Sequence, residues 1–199
     1  MYLCNDKWEI EIDEINYNPE SADNSVHPDM YVMICDDYSK MLCVSASNVS
    51  HTLEKKIVLK VSFFTPHDEY AFIEDNSLFL FLNDTVCEYD MQTGEMINKK
   101  SMDFTGTLFS VYRYQQDFIM YCEMDIIRMT RKLDVVWDFG ARDIFVRYQG
   151  EEPAFEMMPD RIRLYDFSDN YYEIDYDGKV IKDRDSKQSE DRQSKEVCT

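Results

Sequence analysis

The chain has 199 residues, 44% hydrophobic and 14% aromatic, with only five Gly and five Pro. That is enough for one large or two small packed domains, and it excludes global disorder and low complexity. Forty Asp and Glu stand against 21 Lys and Arg, a net charge of −19; such a surface repels nucleic-acid phosphates and anionic membranes and attracts a basic protein or a cation.

Trp8–Tyr17 alternates apolar and acidic residues, with Trp8, Ile10 and Ile12 on one face and Glu9, Glu11 and Asp13 on the other. This predicts a half-buried strand with a solvated acidic face. Asn18–Asp29 is polar, carries Pro19 and Pro28, and reads as a loop. Met30–Cys35 and Lys40–Ser47 read as two strands of a hairpin closed by Asp36–Ser39, and Lys56–Phe64 as a further strand ended by Pro66-His67-Asp68.

From Glu69 the pattern becomes regular. Glu69–Asp75, Leu78–Leu82, Thr85–Tyr89 and Glu95–Asn98 predict four short strands, and Leu108–Tyr114, Asp117–Glu123, Asp125–Met129 and Val135–Phe139 four more. A third set comprises Ile144–Tyr148 or Ala154–Met157, then Arg161–Phe167, Asn170–Ile174 and Lys179–Ile181. Three segments share one layout: Glu88–Ile97 (EYDMQTGEMI), Arg128–Trp137 (RMTRKLDVVW) and Glu173–Ile181 (EIDYDGKVI). Aligned on Gly94, Asp134 and Gly178 they are spaced by 40 and 44 residues, a period that suits four strands per unit.

Glu88–Ile97 resembles the blades of quinoprotein-like and WD-type β-propellers, where a strand, an Asp, a Thr-Gly turn and a second strand recur. Arg128–Trp137 lacks the Gly, and Trp137-Asp138 has no partnered Gly-His before it. The resemblance covers about Glu69–Lys182. It implies an all-β, propeller-like stack of about three to four antiparallel four-stranded units, open or closed, and implies no activity. The expected organisation is an N-terminal β segment at 1–68 with a possible degenerate unit, three units at 69–182, and a mobile polar tail at 183–199. Trp8–Tyr17 is available as a closing strand for the last unit. Trp137 is expected to be mostly buried between neighbouring sheets.

Chemistry is sparse. The six cysteines form no CxxC or CxxxH spacing, and several fall in apolar strands where Cys packs as a small hydrophobe. No secretory signal is evident at the start, and Leu78–Leu82 is far short of the ~18 apolar residues of a membrane span. These features point to reduced thiols and a cytoplasmic setting. His27, His51 and His67 lack ligand spacing, and Glu173-x-Asp175-x-Asp177-Gly178 resembles half a calcium loop without its closing acid. There is no nucleophile elbow, zincin motif, P-loop or dinucleotide fingerprint, so no catalytic residue, metal or cofactor is assigned.

The expected function is a non-catalytic protein-binding module with an acidic face for a basic partner, for instance a bacterial immunity-type inhibitor. A small-molecule or carbohydrate sensor with an aromatic-lined mouth, and a hydrolase with scattered carboxylates, are the alternatives. The expected partner-binding residues are Tyr165, Tyr171, Tyr172, Glu173, Asp175, Tyr176 and Asp177, since tyrosines among carboxylates combine apolar anchors with a charged rim.

Overall fold

The computed structural model describes residues 1–35, 40–62, 70–102, 106–148 and 150–186. These form seventeen strands: β1 (Tyr2–Cys4), β2 (Trp8–Ile15), β3 (Met30–Met33), β4 (Lys40–Asn48), β5 (Glu54–Val61), β6 (Ala71–Glu74), β7 (Ser77–Phe81), β8 (Thr85–Asp90), β9 (Met96–Ser101), β10 (Leu108–Tyr114), β11 (Asp117–Cys122), β12 (Asp125–Met129), β13 (Val135–Gly140), β14 (Phe155–Met157), β15 (Ile162–Tyr165), β16 (Tyr171–Ile174) and β17 (Val180–Arg184). They make four open, propeller-like sheets, ordered β1-β2-β4-β5-β3, β6-β7-β8-β9, β10-β11-β12-β13 and β14-β15-β16-β17.

The chain divides into two compact units, Met1–Asp103 and Phe104–Thr199. The first contains the five-stranded sheet and β6–β9. Trp8, Ile10 and Ile12 on β2, Leu42 and Val44 on β4 and Ile57 and Leu59 on β5 pack with Leu78, Leu80 and Tyr89 of β7 and β8. The second contains β10–β13 and β14–β17, with Ile119 and Ile126 packed among Phe155, Ile162, Leu164, Tyr172 and Ile174. Leu78 to Leu82 are all buried, so β7 is covered on both faces and reads as an unbroken apolar run rather than an alternation.

The three repeated segments fold alike. Asp90, Thr130 and Asp175 open the turns with a side-chain oxygen that accepts backbone N–H groups: Asp90 Oδ1 from Gln92 at 2.7 Å, Thr130 Oγ1 from Lys132 and Asp134 at 3.2 Å, Asp175 Oδ1 from Asp177 at 3.0 Å and Lys179 at 2.8 Å. Such bonds stabilise tight turns directly. The left-handed position is held by Gly94 (φ 81°), Leu133 (φ 62°) and Gly178 (φ 81°). The middle turn thus dispenses with Gly, and its left-handed residue is Leu133 rather than the neighbouring Asp134.

Each outer strand then carries a bulge. Glu88 and Tyr89 face Asn98 and Met96, Arg128 and Met129 face Trp137 and Val135, and Glu173 and Ile174 face Lys182 and Val180. The skipped residues are Ile97, Val136 and Ile181, which are 54%, 48% and 49% exposed. A bulged residue has no partner opposite it; its exposure here is shared with the paired Val135 and Val180, 40% and 45% exposed on the same outer strands.

Two expectations are corrected. Met30–Met33 does not pair with Lys40–Asn48; β3 lies parallel to β5 while β4 sits between β2 and β5, antiparallel to both. The expected turn at 36–39 lies outside the described residues. Trp8–Ile15 does not close the last unit, because β1 and β4 occupy both of its edges. Of the two alternatives for the first strand of the third set, Ala154–Met157 is the one found, as Phe155–Met157, and Ile144–Tyr148 is not a strand. The six strands expected over Leu78–Leu82, Thr85–Tyr89, Asp117–Glu123, Asp125–Met129, Arg161–Phe167 and Asn170–Ile174 are present as antiparallel neighbours. Most of the polar tail falls at 187–199, outside the described residues.

Candidate functional site

The seven residues singled out in the sequence lie on or just after β15 and β16, but the pleat divides them between two faces. Tyr165, Tyr171 and Glu173 share the outer face. Tyr172 points into the core, and Tyr176 stacks on Tyr114 with centroids 3.9 Å apart. All four tyrosines are buried, 8%, 8%, 2% and 9% exposed in chain order.

Their hydroxyls are committed inside the unit. Tyr165 donates to Glu152, Tyr171 to Glu173, Tyr172 to Asp166 Oδ2 at 2.8 Å and Tyr176 to Met158 O at 2.6 Å. Burial, then the hydrogen bond to Glu173, pushes the Tyr171 hydroxyl up to about 12. Asp175 caps its own turn, as described above. Asp177 is exposed and reaches Arg128 Nη1 at 3.4 Å.

The outer face of β14–β17 is a lattice of opposite charges. Cross-strand register sets Glu156, Arg163, Glu173 and Lys182 in one row. Arg163 bonds Glu156 and lies 3.4 Å from Glu152, Arg161 reaches Glu173 at 2.6 Å and Asp160 at 2.8 Å, and Arg147 reaches Asp169 at 3.2 Å and Glu152 at 3.5 Å. Arg147 also covers the Tyr165 ring at 4.0 Å, and Lys182 the Tyr171 ring at 4.9 Å. The Tyr171 hydroxyl and then Arg161 hold the Glu173 carboxyl below its ordinary value. The carboxylates on this face are therefore neutralised locally.

Behind this face lies a buried polar knot. Asp166, fully buried, accepts from Asn170 N at 3.0 Å, Asn170 Nδ2 at 2.9 Å and the Tyr172 hydroxyl. The Tyr172 oxygen in turn accepts from Arg142 Nη1 at 3.1 Å, and Arg142 Nη2 meets Asp183 at 2.6 Å. With both oxygens hydrogen-bonded, Asp166 fixes the β15–β16 turn, since a buried polar group is tolerated when its partners are supplied.

A second surface lies on the five-stranded sheet of the first unit. The register makes two rows across it: Cys4, Glu9, Ser47, Glu54 and Tyr2, Glu11, Ser45, Lys56. The small serines on the middle strand leave a depression of about 370 Å³ between β2 and β5. Among the described residues no hydrogen bond or ion pair engages the carboxylates of Glu9, Glu11 or Glu54. Tyr2 stands at one side, 58% exposed. Lys55 contributes backbone only, because its side chain runs on the opposite face toward Gly94, where a Cβ would lie 3.4 Å from its Cδ. The sequence signals one wall of this trough in the acidic face of Trp8–Tyr17. The opposite wall and the serine floor depend on strand order and are not visible in it.

No group of three or more His, Cys, Asp or Glu side chains that could hold a metal occurs among the described residues. Cys4, Cys43, Cys87 and Cys122 carry free thiols, and burial pushes the Cys87 thiol up to about 11, the direction opposite to that of an activated nucleophile. No helix among the described residues is long and apolar enough to cross a membrane.

No protein-family model matches the chain, and no curated protein matches it. Among solved structures it is similar to BamB from Moraxella catarrhalis (12% identity, 92% of this chain and 62% of that one, TM-score 0.42). It is also similar to a protein from Bacteroides caccae (15% identity, 80% and 67%, TM-score 0.40) and to the AfRom2 CNH domain (11% identity, 73% and 47%, TM-score 0.40). The chain spans about three-fifths of the length of that BamB.

Proposed function

We propose that the chain is a non-catalytic protein-binding module whose acidic surface takes a basic partner. The observation that carries this reading is the unequal handling of charge in the two units. In Phe104–Thr199 twenty acids meet fourteen Lys and Arg, a net −6, and the arginines described above tie many of those acids down. In Met1–Asp103 twenty acids meet seven lysines and no arginine, a net −13. Uncompensated charge opposes folding through self-repulsion, and its benefit lies in solubility and association. A cationic partner relieves the repulsion and is steered in by the same field, which raises its association rate. An inhibitor that neutralises a cationic toxin, in the manner of an immunity protein, is one concrete form.

The test is capture on the immobilised chain from the source organism, at low salt and again at several hundred millimolar salt, with the retained proteins identified and re-measured in purified form. The expected result is a basic protein whose association rate falls steeply with salt. Retention of no basic protein at low salt overturns the reading.

A further inference from the structure

We infer that the partner presents an extended segment with Lys or Arg at alternate positions, laid along β4 in the trough between β2 and β5. This rests on the basic-partner reading and adds a place and a chemistry to it. Glu9 and Glu11 leave the same face of β2 and stand about 7 Å apart, twice the rise of a strand; Asp13, next in that row, pairs instead with the N-terminal ammonium at 3.9 Å. An extended peptide has that same period, so alternate basic side chains meet successive carboxylates in register. A helical or compact basic surface has no such match.

The walls of the trough are two strand spacings apart, roughly 10 Å, which admits one extended chain above the Ser45 and Ser47 floor. Glu54 closes the far wall against the same side chains, with Lys56 beside it. The exposed Tyr2 ring beside Glu11 offers a face for a guanidinium or ammonium group. A multivalent point cation fits less well, since no three ligands converge there.

The experiment measures binding of two fluorescent peptides by anisotropy at low salt. In one, four Lys alternate with Ser; the other has the same composition with the Lys in one block. Their affinities are compared for the full chain, for the Glu9→Gln/Glu11→Gln/Glu54→Gln variant, and for a control that removes three exposed acids elsewhere, Glu20→Gln/Asp23→Asn/Asp134→Asn. The alternating peptide should bind the full chain about tenfold tighter than the blocked one. The first variant should lose about tenfold and the control under about threefold, because close charge pairs rather than net charge hold the complex. Equal binding of the two peptides, equal loss in the two variants, or binding of neither peptide overturns the trough. A basic protein captured equally by the full chain and the first variant also overturns it while leaving the basic-partner reading in place. Capture of none by either overturns that reading itself.

Discussion

Gly178→Ala tests the turn cassette at its tightest point. Gly178 sits at φ 81°, and a Cβ there would lie 2.6 Å from Cγ, 2.8 Å from Cδ2 and 3.0 Å from Cδ1 of Trp137. Trp137, expected to be mostly buried, is in fact half-buried. It lies over this glycine on the neighbouring sheet, and its indole N–H donates to Tyr176 O at 2.9 Å. A rigid indole cannot give way as a flexible chain end can, so Ala must displace it. Left-handed backbone costs an L-residue about 1 kcal/mol, the lost hydrogen bond about 1 kcal/mol, and the lifted ring about 1 kcal/mol more in packing. The total is about 3 kcal/mol. In a Trp137→Ala background only the backbone term of about 1 kcal/mol should remain, which leaves a coupling of about 2 kcal/mol. Urea unfolding of the four proteins, followed by far-UV circular dichroism, gives the cycle. A Gly178→Ala cost that is the same in both backgrounds would refute the argument that the indole is what the glycine accommodates.

Two further outcomes are expected. Tyr89 is 1% exposed and its hydroxyl has no hydrogen-bond partner among the described residues, so Tyr89→Phe should leave stability unchanged or raise it by up to about 1 kcal/mol; a clear fall in the urea midpoint contradicts this. The Glu173 carboxyl is held below its ordinary value by the Tyr171 hydroxyl and Arg161. Its contribution is therefore fully present above about 4.5 and is lost as the pH falls through the lower folded value. The stability gap between the native chain and Glu173→Gln should accordingly hold steady above about pH 4.5 and narrow as the pH falls below it, and a pH-independent gap in a series of melts would rule this out.

The repeated units were legible because each of their signals is local. Apolar alternation, a turn-opening Asp or Thr and a Gly near the turn all fall within ten residues. The parallel strand β3 was not legible: Met30–Met33 is apolar throughout and fits either direction, and its nearness in sequence to Lys40–Asn48 favoured a hairpin that strand order does not make. The candidate site was half legible. That Tyr165, Tyr171 and Glu173 share a face follows from period two. That Arg147, Arg161 and Arg163 neutralise that face depends on the register of β14, β15 and β16 and on contacts from residues before and between them. The acidic strand Trp8–Ile15 was visible, yet its opposite wall, Glu54 and Lys56, is some forty residues away and is brought near only by β4.

The cassette shared by the three outer hairpins makes few demands. It needs an oxygen-bearing side chain to open the turn, one residue able to turn left-handed, a buried residue at the bulge and an outward one beside it. Asp90, Thr130 and Asp175 show that the first can change identity, and Leu133 shows that the second need not be glycine. The hairpin therefore tolerates different letters at its turn, and it recurs in both units although Met1–Asp103 holds no arginine and Phe104–Thr199 holds nine.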